Sequence, residues 1–121
     1  MTLKILPPAL TVCKIPSLAC ADLTSPFTFL GVTDEELSLV CPSENVPPEA
    51  ISREDGWRAM RIEGVLDFSL VGILAPIARI LAEGRVGIFS VSTFNTDYIL
   101  VKEENLEKAV FLLRENGYTV L

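Results

Sequence analysis

Histidine is absent from the sequence, and that single absence removes much chemistry. Ser-His-Asp and Cys-His catalysis have no base, and every metal site built on imidazole is excluded. Basic residues are also few. Ten Lys and Arg stand against sixteen Asp and Glu, for a formal charge of −6 and a pI near 4.6. They are scattered along the chain, so the basic stripe that a phosphate backbone requires is missing and nucleic acid is not an expected partner. Long apolar runs are lacking too. Mean hydropathy is +0.43, yet the longest largely apolar stretch, Leu70 to Ala82, contains Arg79 and falls short of the roughly 20 residues that span a bilayer. No membrane span is expected, and the surplus apolar surface is assigned to a homodimer or higher homo-oligomer.

The three cysteines, Cys13, Cys20 and Cys41, are odd in number and lack C-x-x-C spacing. They read as reduced, mostly buried thiols, and their spacing to the carboxylates suggests no metal site, so no metal or cofactor is expected. The N-terminal "MTLKILPPAL" carries one lysine, two prolines and no small-residue cleavage site after an apolar core. A secretory leader is therefore not expected, and a cytoplasmic protein is. A chain of 121 residues suits one domain, or two half-size units sharing a core.

The C-terminal half is the more legible. "WRAMRIEGV", Trp57 to Val65, alternates Met60 and Ile62 with Arg61 and Glu63 and reads as a strand. In the "DFSLVGILAPIARILAEG" that follows, Ile73, Ile77, Ile80 and Leu81 fall at helical spacing and Gly84 supplies a stop. Pro76 is tolerated only within a first turn, so the helix begins near Gly72 or Ile73. Its free amides then lie around Gly72, Ile73, Leu74 and Ala75, a ready site for a carboxylate. The same glycine and proline equally suit a plain strand-to-helix turn. Next come a strand over about Val86 to Thr93, a tight connection near Phe94 to Thr96, and a strand over Asp97 to Lys102, with Thr93 pairing Tyr98 and Val91 pairing Leu100. "EENLEKAVFLLRENG" places Leu106, Ala109, Val110 and Leu113 on one helical face and ends at Gly117, and "YTVL" closes the chain as a short strand.

The order strand, helix, strand, strand, helix, strand is the α+β, ferredoxin-like arrangement: an antiparallel sheet with both helices on one face. The first half repeats it weakly. A shift of 61 lays Leu39 and Val40 on Leu100 and Val101, and a one-residue gap then brings Glu44 and Asn45 onto Glu104 and Asn105, while "ALTVCKI" meets "AMRIEGV" at a shift of 50. The deficit of about three helical turns at roughly 3.6 residues each predicts that the first helix of the first copy is shortened or missing. Residues 1–56 are thus read as a degenerate unit, with Ser43 to Gly56 as connector holding a helical turn at most, and residues 57–121 as a complete one.

"FSLVGILAPIARILAEGRVGIFSVSTFNTDYILVKEENLEKAVFLLRENGYTV", with "FTFLGVTDEELSLVCP" and "DGWRAMRIEG", resembles the tandem ACT-domain proteins of bacteria, which are similar to the arginine-sensing CASTOR proteins of animals and to aspartate kinase regulatory domains. The resemblance implies two ACT-like units, assemblies with joined sheets, and an amino acid or similar small metabolite as ligand, with no catalytic activity. It places the ligand-binding residues at Ser69, Leu70, Val71, Gly72, Ile73 and Leu74, and at Ser92, Thr93, Phe94 and Asp97. Arg85 departs from the family pattern, where a small or apolar residue is more common. The amides of Gly72 to Leu74 suit a ligand's carboxylate, Asp97 with the hydroxyls of Ser92 or Thr93 suits its ammonium, and Phe94 can cover the side chain. Three functional classes follow: an amino-acid sensor, an oligomerisation domain that binds no metabolite and acts through protein contacts, and an enzyme. The last lacks any group matched to Asp97 for acid-base work. On this alignment Val32, Thr33 and Glu36 are the first-copy equivalents of Thr93, Phe94 and Asp97, and they are expected to matter less for ligand.

Overall fold

The computed structural model describes all 121 residues, Met1–Leu121. In chain order the elements are β1 (Thr2–Ile5), β2 (Leu10–Lys14), β3 (Phe29–Val32), β4 (Leu37–Pro42), β5 (Ser52–Ile62), α1 (Leu74–Glu83), β6 (Ile88–Ser92), β7 (Asp97–Lys102), α2 (Leu106–Glu115) and β8 (Thr119–Val120). They divide into two compact units. Residues 8–57 form the N-terminal unit, and residues 58–121 together with 1–7 form the C-terminal one. The first seven residues thus lie outside the unit to which the sequence reading assigned them.

The reason is β1. In the C-terminal unit the strand order is β6-β7-β5-β1-β8, with β1 antiparallel to β5 through Leu3↔Ile62 and Ile5↔Met60. On its other edge β1 runs parallel to β8, Thr2↔Thr119 and Leu3↔Val120. The sheet is therefore mixed, where an antiparallel one was expected. The rest follows the ferredoxin-like order β5-α1-β6-β7-α2-β8. Because strand side chains alternate, Met60 and Ile62 share a face, as do Ile99 and Val101. On that face they meet Ile77 and Leu81 of α1, Ala109, Val110 and Leu113 of α2, and Leu3 and Val120 in one buried core. β5 also begins earlier than predicted, at Ser52, in a stretch read as connector.

Each helix stops by the same device. At the end of α1 the Arg85 amide donates to the Ala82 carbonyl and the Val86 amide to that of Leu81, the paired bonds of a Schellman motif. The left-handed residue is Arg85, at φ 62°, and not Gly84, at φ −82°. At the end of α2 Gly117 takes that place at φ 91°, with the Tyr118 amide donating to Leu113. Gly84 is needed for space instead. A Cβ there would fall on the Leu112 Cδ1 of α2, closer than real Cβ atoms come. Arg85 itself is exposed, so the departure noted in the sequence faces water.

The N-terminal unit has the strand order β3-β4-β2-β5, the last contributed by residues 52–57. Its strands are antiparallel. A single 3₁₀ turn, Leu18–Cys20, stands where the other unit has α1, and the 3₁₀ turn Ser43–Asn45 matches Glu103–Asn105 but is followed by no helix where α2 would be. Without helices its core is small: Cys13, Ile15, Leu39 and Cys41 are buried, with Cys20 and Val46 packed against them. Burial pushes the Cys41 thiol up to about 11, with Cys13 beside it adding to the shift, so both are kept protonated.

Replacing Gly84 by Ala should force the Leu112 methyl aside, and because that methyl ends a flexible, half-buried side chain the fold should lose about 1 kcal/mol, the low end of overpacking costs. Leu112→Ala in the same chain should remove most of that increment, read as a non-additive pair in urea denaturation.

Candidate functional site

The β6–β7 hairpin closes through a four-residue connection, Thr93 to Thr96, with Ser92 opposite Asp97 and Val91 opposite Tyr98. The predicted pairing is displaced by two residues, a slide that leaves every side chain on its expected face. Local hydrogen bonds explain the longer loop. The Thr96 carbonyl accepts from the Thr93 amide at 2.8 Å and from the Thr93 hydroxyl at 3.1 Å. Thr96 is 6% exposed, and its own hydroxyl donates to the Ile62 carbonyl at 2.6 Å. Thus the tip of the hairpin is anchored where β5 ends. Because the Thr93 hydroxyl proton is engaged within the turn, that oxygen is left to act as an acceptor.

The chain leaving β5 passes this tip and reaches α1. The Leu66 amide donates to the Asn95 carbonyl at 2.7 Å, and Phe68 meets Phe94 edge to face with ring centroids 5.0 Å apart. Asp67 accepts from the Ser69 amide at 2.7 Å. Hydrogen bonds from Ser69 hold its carboxyl below the usual carboxylate value, so it is ionised at neutral pH. Helix α1 starts at Leu74, one residue beyond the predicted range, with Pro76 in its first turn. No side-chain cap and no acidic residue occupy that end. The amides of Leu74 and Ala75 therefore keep the uncompensated donor character of a helix start.

Loop, helix end and hairpin tip enclose a cleft of about 360 Å³. Of the residues singled out from the sequence, Leu70, Gly72, Ile73 and Leu74 line it from the loop side, and Ser92, Thr93, Phe94 and Asp97 from the hairpin. Ser69 and Val71 do not. Ser69 is engaged with Asp67 in the turn, and Val71 is 89% exposed. Sequence reasoning missed Leu66, Asp67, Phe68, Asn95 and Thr96, which also line the cleft. Of these Asp67 carried a signal, an Asx-turn residue followed two positions on by serine. The charged residues of the wall are Asp67 and Asp97, and there is no basic one.

A family model described as ACT domain matches residues 52–115, just over half of the chain. The chain belongs to the ACT-domain family. A protein of known structure from Agrobacterium tumefaciens is 32% identical, with a TM-score of 0.88, over 99% of this chain and 91% of that one. The structure of aspartokinase alpha and beta subunits superposes at a TM-score of 0.61 with 16% identity, over 95% of this chain and 96% of that one, a likeness of fold. The cytosolic arginine sensor for mTORC1 subunit 1 of Bos taurus is 39% identical over 64 residues, 50% of this chain and 20% of that protein. The chain spans about a fifth of the length of the curated relatives it matches.

Within this ACT chain the N-terminal unit repeats the hairpin. Val32 opposes Leu37, and the Thr33 amide and hydroxyl both donate to the Glu36 carbonyl. Position 37 therefore corresponds to 97 and Thr33 to Thr93. The same spacing lays Phe29 on Phe89 and the turn Ser43–Asn45 on Glu103–Asn105, so no gap is needed. The shift of 61 is corrected to 60: the shared "LV" pairs misled the alignment, since buried Leu39 and Val40 answer to buried Ile99 and Leu100. The counterparts of Thr93, Phe94 and Asp97 are thus Thr33, Asp34 and Leu37, and the acid at position 97 is matched by an apolar residue.

Replacing Thr96 by Val removes its hydrogen bond to the Ile62 carbonyl. The fold should lose about 0.5–1.5 kcal/mol in urea denaturation, and Thr96→Ser should recover most of it.

Proposed function

We propose that the C-terminal unit binds a free α-amino acid in this cleft and that the protein acts as a regulator or sensor, without catalysis. What supports the reading is the meeting, in one cleft, of an uncapped helix start and an aspartate on the facing hairpin. A zwitterion requires both. The carboxylate is received by the amides of Leu74 and Ala75, aided by the helix dipole, and Gly72 lets it approach the backbone. The ammonium is received by Asp97 and by the Thr93 oxygen. Each charge is then paired as it leaves water, which an amino acid must achieve to be held tightly.

A second aspartate and the lack of any basic residue favour a ligand whose side chain is itself cationic. The name of the bovine relative, an arginine sensor, points the same way. We therefore name L-arginine and L-lysine as the first ligands to test. The regulator works as a cytoplasmic homo-oligomer in this reading. No helix of the chain is long and apolar enough to cross a membrane.

Titration calorimetry should give heat for L-arginine or L-lysine and none for L-glutamate. Asp97→Ala should weaken binding at least tenfold, about 1.4 kcal/mol or more. Absence of binding by any common amino acid at millimolar concentration contradicts the reading.

A further inference from the structure

The loop joining β5 to α1 is bracketed by two glycines in the left-handed region, Gly64 at φ 98° and Gly72 at φ 72°. A Cβ at either would meet nothing within 4 Å, so neither glycine is there to make room for a neighbour. Both serve backbone conformation, and a chain that turns at two such points can pivot about them. Between them the loop presents apolar side chains to water: Val65 and Phe68 are each 75% exposed, Val71 is 89% and Leu70 is 50%. Phe94 on the hairpin tip adds another at 77%. Phe68 and Phe94 are in ring contact, and so many exposed apolar side chains gathered on one short loop and the tip beside it are seldom without a use. The loop is tied to the rest of the unit near its start, where Leu66 packs against the core and its amide bonds the Asn95 carbonyl; beyond Leu66 the tie is the edge-on contact of Phe68 with Phe94. Its other bonds, from Ser69 and Leu70 to Asp67, are internal and move with it.

We propose that residues 64–72 are a lid hinged at Gly64 and Gly72, and that Phe68, carried on it, is the residue that covers the ligand's side chain and sets which side chains are accepted. The proposal rests on the amino-acid reading of the cleft. Occupancy gives the lid something to close on: Phe68 and Leu70 already line the cleft, and closing would bury them against the ligand instead of leaving them wet. The same motion would exclude water from the pairing of the ligand ammonium with Asp97, strengthening it. A flat ring can lie against an alkyl stem or, if the side chain is cationic, present its face to the charge.

Amide hydrogen exchange on the full chain, with and without saturating L-arginine, tests the lid while calorimetry on the same samples scores binding. In the free protein the amides of 65–71 should exchange at least a hundredfold faster than those of β7, and arginine should slow them at least tenfold. Phe68→Ala, at a side chain too exposed to matter for folding, should weaken arginine about tenfold and abolish the protection, while Phe68→Tyr should retain both. Binding heat with unchanged exchange over 65–71 overturns the lid and leaves the amino-acid site standing. Exchange in the free protein as slow as in β7 also overturns it. No heat with any amino acid overturns the site reading, and the lid with it.

Discussion

A single buried hydroxyl determines where everything else in the site can be. Thr96 donates to the carbonyl of Ile62, the last residue of β5, from a position sealed from solvent. A bond of this type contributes about 0.5–1.5 kcal/mol net. It brings the hairpin tip to the point where the chain leaves the sheet. The loop that starts there must pass the tip, and it is caught a second time when Leu66 bonds Asn95. With both ends defined, the start of α1 is carried to the wall opposite Asp97. An uncapped helix start and a carboxylate thus line a common cleft beside the tethered hairpin tip.

Much of this was readable before any coordinates. Pro76 limited the start of α1 to within a residue or two, since a proline is tolerated only where amides lack acceptors. The apolar stripe of α2 and the bounds of β7 were equally plain, because both have long-range periodicity with clear stops. What escaped notice was short or polar. β1 is four residues long, too short for a period to register, and its partners are over fifty residues away in sequence. The first half of β5, "SREDG", is charged and exposed, and reads as loop. The hairpin register slipped by two because no glycine marks the turn. Threonine hydroxyl bonds close it instead, and sequence patterns do not announce them. At the site, residues tied to helix geometry were found, while Phe68 and Asp67 were missed because only the folded loop brings them near Phe94 and the cleft.

The two units show how a repeat loses a site while keeping a fold. Both retain the four-residue hairpin and its threonine lock. The N-terminal unit has a 3₁₀ turn in place of α1, too short to gather aligned dipoles, lacks a counterpart of α2, and carries Leu37 where the other has Asp97. Anion donor and cation acceptor are gone together. A sheet can survive the loss of a helix if loops cover its face, as they do around Cys13 and Leu39, but a zwitterion site cannot. The C-terminal unit in turn recruits the N-terminal seven residues, with Leu3 filling the core between β5 and β8.

In the proposed function, ligand recognition belongs to one unit alone. It is tested most directly by titrating L-arginine into isotopically labelled protein and following backbone amide resonances. Perturbations should concentrate at Gly72 to Ala75 and Ser92 to Asp97, with the matching Thr33 to Leu37 unchanged. Equal shifts in both hairpins, or shifts confined to the N-terminal one, would contradict it.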